Sequence, residues 1–310
     1  MPQLPSVRGF IDATPLLADP PRLRALAEQE GYLFFKSFLP QEPLLELRRQ
    51  ILEIVQRHHW LQPGTPLLEG RANLKAIAQS EETDPSLAFI GVTKAAYREI
   101  QSLELFHALP HHPRLLALYN LLLAPPVLPH PRHIARVLMP SPRFAPTPPH
   151  QDYVYIQGSH QFWTCWFPLG DCPLALGGLS VLRGSHREPV LDVSRARGAG
   201  GFESILCHQN HTWIEDDYTC GDILTFPSHL IHKGLPNQAG THLRLSCDLR
   251  YQSAQEPIEG QSLQPHAYVA TWDELYAGWK NEDLQYYWQK HSLQTSPWNP
   301  DLLQAKERIC

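Results

Sequence analysis

Nine prolines stand between Pro125 and Pro149. Each fixes its own φ and removes a backbone donor, which bars helix interiors and central strands and leaves extended chain at strand ends and sheet edges. The stretch has no internal repeat, so it is no low-complexity linker. It is expected to hold a strand over His133–Met139 and to deliver His150-Gln151-Asp152 from Pro148-Pro149 in an extended backbone. Residues two apart on a strand share a face. The imidazole of His150 and the carboxylate of Asp152 then converge on one point, where a metal ion fits.

Alone, a His-x-Asp pair is more often a hydrogen-bonded surface pair than a metal site. The surrounding pattern adds weight. His232 follows the β-prone run Asp222–Phe226. Two histidines with one carboxylate leave three adjacent metal positions free, the arrangement of non-haem Fe(II) oxygenases. Beyond His232, Arg244-Leu245-Ser246 opens another alternating run. Arg244 and Ser246 share its face, and a guanidinium fork beside a hydroxyl suits the far carboxylate of a 2-oxoglutarate that chelates iron. His229 is the one real rival to His232. His107, His111 and His112 are set aside, because adjacent His111-His112 cannot chelate from one helical face. Arg136 lies in the preceding strand, where structural use weighs as much as lining the site. Arg250 ranks a distant second to Arg244.

Helical periodicity and end signals predict helices over Pro21–Gln29, ended by Gly31, and over Pro43–His58, with Leu44, Leu47, Ile51 and Ile54/Val55 on one face. Two more are expected over Pro85–Leu109, with Asp84 as cap, and Pro113–Leu123. Tyr32–Leu39, Phe162–Leu169 and Gly178–Leu182 read as strands. Along the second of these, Thr164 and Trp166 share one face and Trp163 and Cys165 the other. Residues 61–82 read as a loop. Residues 187–215, with Gly198, Gly200 and Gly201, read as an active-site lid or a loop without function. Thr271–Lys290 is aromatic and starts with a capping box of Thr271 and Glu274, which predicts a helix docked on the barrel or on a second copy.

The chain has 310 residues, a net charge of −5 and 18% charged residues, with no basic patch that would call for nucleic acid. Its most apolar run, Leu115–Leu128, is interrupted by Asn120, Pro125 and Pro126 and is too short to span a membrane. Met1–Pro5 shows no signal-peptide pattern. Six cysteines without a C-x-x-C pair suit reduced thiols and a cytoplasmic location.

Several of these motifs stand in one order: His150-Gln151-Asp152, Trp163 to Leu169, Gly177 to His186, Gly221-Asp222, His232, Asn237, Arg244 and Arg250-Tyr251. Together they resemble the phytanoyl-CoA dioxygenase family over roughly residues 130–252. Arg183 departs from the proline usual there, at a turn. The resemblance implies a mainly β fold with helical additions: a double-stranded β-helix (jelly roll, cupin-like) over about 130–252, a helical part over about 1–125 and a helical extension over 253–310, all one domain. It implies Fe(II) held by His150, Asp152 and His232, and 2-oxoglutarate anchored by Arg244 and Ser246. Trp166 would form an apolar wall beside the keto acid, with a core tryptophan between two sheets as the equal alternative. With O2, the implied reaction hydroxylates a small-molecule substrate and releases succinate and CO2. The absence of a Lys/Arg cluster favours a free metabolite over an acyl-CoA. A monomer or homodimer without nucleic-acid or membrane partner is expected. Two other classes compete. A His/His/Asp zinc hydrolase has no use for Arg244 and Ser246 and needs a general base beside its water. A non-catalytic jelly-roll binding protein needs no intact ligand set.

Overall fold

A computed structural model of the chain describes residues 4–81, 91–141, 144–207 and 210–307. Asp19 opens the first helix, Pro20–Glu30, by accepting the Arg22 amide at 3.3 Å, and Gly31 closes it at φ +82°. A Cβ on Gly31 would lie 2.3 Å from His186 Nδ1, so conformation and packing both require glycine. Helix Gln41–Arg57 buries Leu44, Leu47, Ile51, Ile54 and Val55 and keeps Glu46, Arg49 and Glu53 outside as an ion-paired row, as its periodicity predicts. Leu74–Glu81 is a helix where the sequence predicts a loop; Asn73 caps it by accepting the Ala76 amide. Among the described residues, the helix predicted over Pro85–Leu109 is broken into Lys94–Gln101 and Glu104–Ala108, parted at Ser102-Leu103; its Asp84-Pro85 start lies outside them. Helix Pro113–Leu122 follows.

The strands in chain order are β1 (Ser6–Arg8), β2 (Leu33–Phe35), β3 (Val127–Pro129), β4 (Ile134–Leu138), β5 (Trp163–Pro168), β6 (Leu179–Leu182), β7 (Val193–Arg195), β8 (Phe202–Ser204), β9 (Trp213–Glu215), β10 (Ile223–Pro227), β11 (His232–Gly234), β12 (Arg244–Ser253), β13 (Ile258–Glu259) and β14 (Thr295–Ser296). The major sheet runs β2-β10-β5-β12, with β3 and β4 both on the far side of β12; the minor sheet runs β1-β9-β6-β11. Neither sheet closes into a barrel. This is the expected jelly-roll class with helices before and after. β2 is shorter than predicted because Ser37 turns away at φ +46°, its amide held by Asp222 at 2.8 Å.

Strand parity sorts the long strand β12, all ten residues of which are buried. Leu245, Cys247, Leu249 and Tyr251 join Cys165 and Phe167 in one core with Leu44, Leu47, Ile51, Tyr97 and Tyr119 from the helices. Each such apolar side chain contributes roughly 1.5–3 kcal/mol on burial. The even positions Arg244, Ser246, Asp248 and Arg250 are polar and equally buried, on the other face. That face carries the site.

Three expectations need correction. Residues 187–215 are not one loop: they contain the hairpin β7–β8 and strand β9, and the three glycines are confined to the hairpin tip and its flank. Thr271–Lys290 is not one helix. The capping box forms, but the helix stops at Tyr276, and the chain continues in short turns through Gly278 and Tyr286, the latter at φ +48°. Its aromatics pack on one another and on Leu128 and Ile258, a compact cluster that a straight helix could not fold back to make. Cys207 is disulfide-bonded, whereas Cys165, Cys172, Cys220 and Cys247 are free and buried. Among the described residues, no helix is long and apolar enough to cross a membrane.

Candidate metal centre

His150 and His232 face each other as an antiparallel pair, exchanging backbone hydrogen bonds of 2.9 and 3.0 Å. The pair extends the minor sheet beyond β11 and brings the ring centroids to 4.1 Å. In each residue Nδ1 meets the carbonyl two residues back: Pro148 at 2.8 Å for His150, Leu230 at 3.1 Å for His232. A carbonyl only accepts, so Nδ1 is the donor in each ring and Nε2 is the nitrogen left to face Asp152. Asp152 Oδ1 lies 3.4 Å from Nε2 of His150 and 3.8 Å from Nε2 of His232. One ligand atom from each of the three residues lies within 4.8 Å of the others.

Asp152 does not arrive there by strand alternation. The extended chain ends at His150; Asp152 has helical angles, φ −61° and ψ −28°, and precedes the short helix Tyr153–Ile156. The Tyr153 amide is tied to the Ser228 carbonyl at 3.1 Å, which fixes the turn. The pair converges through this turn.

The second carboxylate oxygen is held from the major sheet. Thr164 Oγ1 donates to Asp152 Oδ2 at 2.5 Å and Arg250 Nη2 donates at 3.1 Å. Arg250 stands opposite Thr164 in the β12–β5 register, so one cross-strand pair grips one oxygen. Burial opposes charge on Asp152, but the Arg250 guanidinium outweighs it and holds the carboxyl well below its usual range. Burial, then the neighbouring His150, pushes His232 down to about 3, so its ring stays neutral. Two imidazole nitrogens and one carboxylate oxygen, buried together, fit a divalent transition-metal ion.

Arg244, Ser246 and Trp166 also come together. Arg244 is buried, donates from Nη1 to Ser246 Oγ, and holds its guanidinium carbon 5.7 Å from the Trp166 ring centroid. Its Nε is buried without a hydrogen-bond partner. Arg136 is engaged otherwise, with Asp248 at 2.6 Å. The rival His229 bonds His160 at 2.8 Å along a separate groove of about 420 Å³, which none of the triad lines. His186 bonds the Glu28 carbonyl at 3.0 Å. A cavity of about 310 Å³ opens directly onto His150, Asp152 and Arg250, with Ala199 and Gly200 of the β7–β8 tip on its wall. Sequence reasoning missed the grip of Thr164 and Arg250 on Asp152. The only signal was shared parity, Thr164 with Trp166 and Arg250 with Arg244.

Known proteins resemble the chain over most of its length. The chain is 26% identical over 274 residues to the 1-deoxypentalenic acid 11-beta-hydroxylase of Streptomyces exfoliatus, covering 84% of this chain and 90% of that one. The Streptomyces arenae enzyme of the same name is 26% identical over 269 residues, covering 83% and 89%. Among solved structures, the epimerase SnoN in complex with Fe3+, alpha ketoglutarate and nogalamycin RO shares the fold at a TM-score of 0.51 and 19% identity, covering 78% of this chain and 86% of that one. The family model for phytanoyl-CoA dioxygenase matches residues 27–244, well over half of the sequence, and the chain therefore belongs to the phytanoyl-CoA dioxygenase family.

Proposed function

We propose that this Fe(II)- and 2-oxoglutarate-dependent oxygenase hydroxylates an unactivated C–H bond of a small organic molecule, with His150, Asp152 and His232 as iron ligands and Arg244 with Ser246 as the anchor of the 2-oxoglutarate carboxylate. The observation that carries the reading is the buried convergence of the three side chains. Both Nδ1 atoms are committed to backbone carbonyls, and both Nε2 atoms face the one oxygen of Asp152 that Thr164 and Arg250 leave free. Iron held by His150, Asp152 and His232 would, with 2-oxoglutarate and O2, supply the oxidant for a reaction that puts one oxygen atom in the product and the other in succinate and releases CO2.

The remaining work belongs to the chain. Arg244 offers a buried, partly unpartnered guanidinium to a carboxylate, and Trp166 shields it from water. Thr164 and Arg250 fix the angle of Asp152. A zinc hydrolase would need a free base beside its water. Asp248, on the same strand face, is tied to Arg136 instead, and the second oxygen of Asp152 is occupied.

Anaerobic reconstitution should give one Fe(II) per chain and slow conversion of 2-oxoglutarate to succinate without substrate. His232→Ala should abolish both, and His229→Ala should retain most of both. Iron content near zero, or a dead His229→Ala variant beside a live His232→Ala variant, would overturn the assignment.

A further inference from the structure

Among the described residues, three arginines line the cavity beside the triad: Arg132, Arg136 and Arg250. Two are matched by carboxylates, Arg136 by Asp248 at 2.6 Å and Arg250 by Asp152 at 3.1 Å. Arg132 is in no ion pair with any of the described residues. Its Nη1 donates to the Gln261 carbonyl at 3.1 Å, and its guanidinium carbon lies 5.6 Å from the Tyr268 ring centroid. Both contacts orient a cation without neutralising it. Glu259 senses this charge, but its carboxylate accepts the Gln261 amide at 2.8 Å. Arg250, itself only 4% exposed, adds two buried nitrogens, Nε and Nη1, that have no partner among the described residues.

The backbone that shapes this wall is costly. Ala267 and Tyr268 are consecutive non-glycine residues at φ +58° and +51°. Such positions persist where the surroundings over-determine them, and they cluster at ligand sites. Here they set Ala267 in the cavity wall and the Tyr268 ring against Arg132. Ile134, Ile156 and Trp298 supply apolar surface to the same space.

We propose that this cavity binds its substrate as a carboxylate, with Arg132 as the anchoring group, so that the substrate class is small carboxylic acids with an apolar body. A guanidinium fork matches a carboxylate in two parallel bonds. An unpaired, largely enclosed cation is unfavourable until an anion joins it. A volume of about 310 Å³ is at the small end of ligand pockets and does not enclose a whole acyl-CoA. The site is distinct from the 2-oxoglutarate anchor, since Arg244 does not line this cavity. The inference rests on reading the cavity as the substrate chamber of the proposed oxygenase. The carbon that reacts is then chosen by its distance from the carboxylate that Arg132 holds.

The test is calorimetric titration of the anaerobic full-length protein, saturated with Fe(II) and 2-oxoglutarate. The probes are cyclohexanecarboxylate, octanoate and adamantane-1-carboxylate, each against its primary amide. At least one acid should bind about tenfold or more tighter than its amide, and Arg132→Gln should erase that preference while leaving 2-oxoglutarate affinity within about twofold. Arg132→Lys keeps the charge without the fork and should weaken acid binding several-fold; it decides the matter if Arg132→Gln fails to fold by circular dichroism. Equal binding of acids and amides, an intact acid preference in the variants, a loss of 2-oxoglutarate affinity in place of acid affinity, or no acid binding at millimolar concentration would each overturn the proposal. Acid binding without any succinate formation would keep this site and remove the oxygenase reading instead.

Discussion

Thr164 is the residue on which the triad's geometry turns. Its hydroxyl has one proton and gives it to Asp152 Oδ2, which leaves Oδ1 for the metal. Thr164→Val keeps the shape and removes the donor. Partners of this kind, one step behind a ligand, are typically worth 10–100-fold in metal affinity, and a loss of about that size is expected for Fe(II) by competition with a chromophoric chelator. Unchanged affinity would make Thr164 a packing residue only. Arg244→Ala should act at the other end of the same strand face. Removing one partner of a buried charged contact costs ~2–5 kcal/mol, so the 2-oxoglutarate concentration for half-maximal succinate release should rise strongly while Fe(II) binding stays nearly intact. An unchanged requirement would move the anchor to another arginine. The grouping of Arg244, Ser246 and Trp166 was legible, because spacing and parity survive any reasonable placement of the strands; the triad residues were named from the same kind of argument, but Asp152 joins the histidines through a turn that parity did not foresee. The partner of Arg250 was not legible. An arginine six residues along the same face looks equivalent to Arg244 until the register sets Thr164 opposite it.

Elements transmit this order from the helical layer. Tyr119, on helix Pro113–Leu122, stacks on Tyr251 of β12 with centroids 3.8 Å apart and planes at 13°. Its hydroxyl meets Thr225 Oγ1 at 2.7 Å, and Thr225 donates its own proton to the Thr164 carbonyl at 2.8 Å, so Tyr119 must be the donor. Tyr119→Phe removes one buried hydrogen bond and should lower the unfolding free energy by about 0.5–1.5 kcal/mol in urea. Fe(II) affinity should not move, because the relay ends at the Thr164 carbonyl and not at its hydroxyl. A drop in metal affinity would show that the helix positions the site directly. Helix Gln41–Arg57 and the strands around Trp166 and Thr225 were readable because one uninterrupted period governs each. The turn that carries Asp152 was not readable: it is held by the carbonyl of Ser228, a contact across 75 residues that leaves no local trace. The same holds for Thr271–Lys290, where ring-on-ring packing overrides helical propensity after one capped turn.

At the scale of the molecule, the interior holds several neutral histidines outside the triad, and they set its response to acid. His107, His130 and His133 are buried. Burial is the main cause that pushes His107 down to about 4 and His130 down to about 3, and His133 well below its usual range. The rings of His107 and His133 stand 5.1 Å apart, and His107 also packs 4.9 Å from Trp279, so a proton on either would place a cation among aromatics and beside a second imidazole. Nothing in the spacing of 17 histidines along the sequence says which of them lie inside. In the unfolded chain each titrates near about 6.5. The fold favours the neutral form, so their contribution is complete above that value and is lost as pH falls toward the folded values. Each should remove about 1.4 kcal/mol of stability per pH unit below about 6.5 until its folded pKa is reached. Urea unfolding of the metal-free protein should therefore steepen in pH dependence below about 6.5. His107→Gln, whose side-chain amide can donate to the Gln101 carbonyl that His107 Nε2 meets at 2.8 Å, should lessen that slope by about 1.4 kcal/mol per pH unit between about 6 and about 4.5. An identical slope in the variant would mean that His107 is protonated, or solvated, in the folded protein.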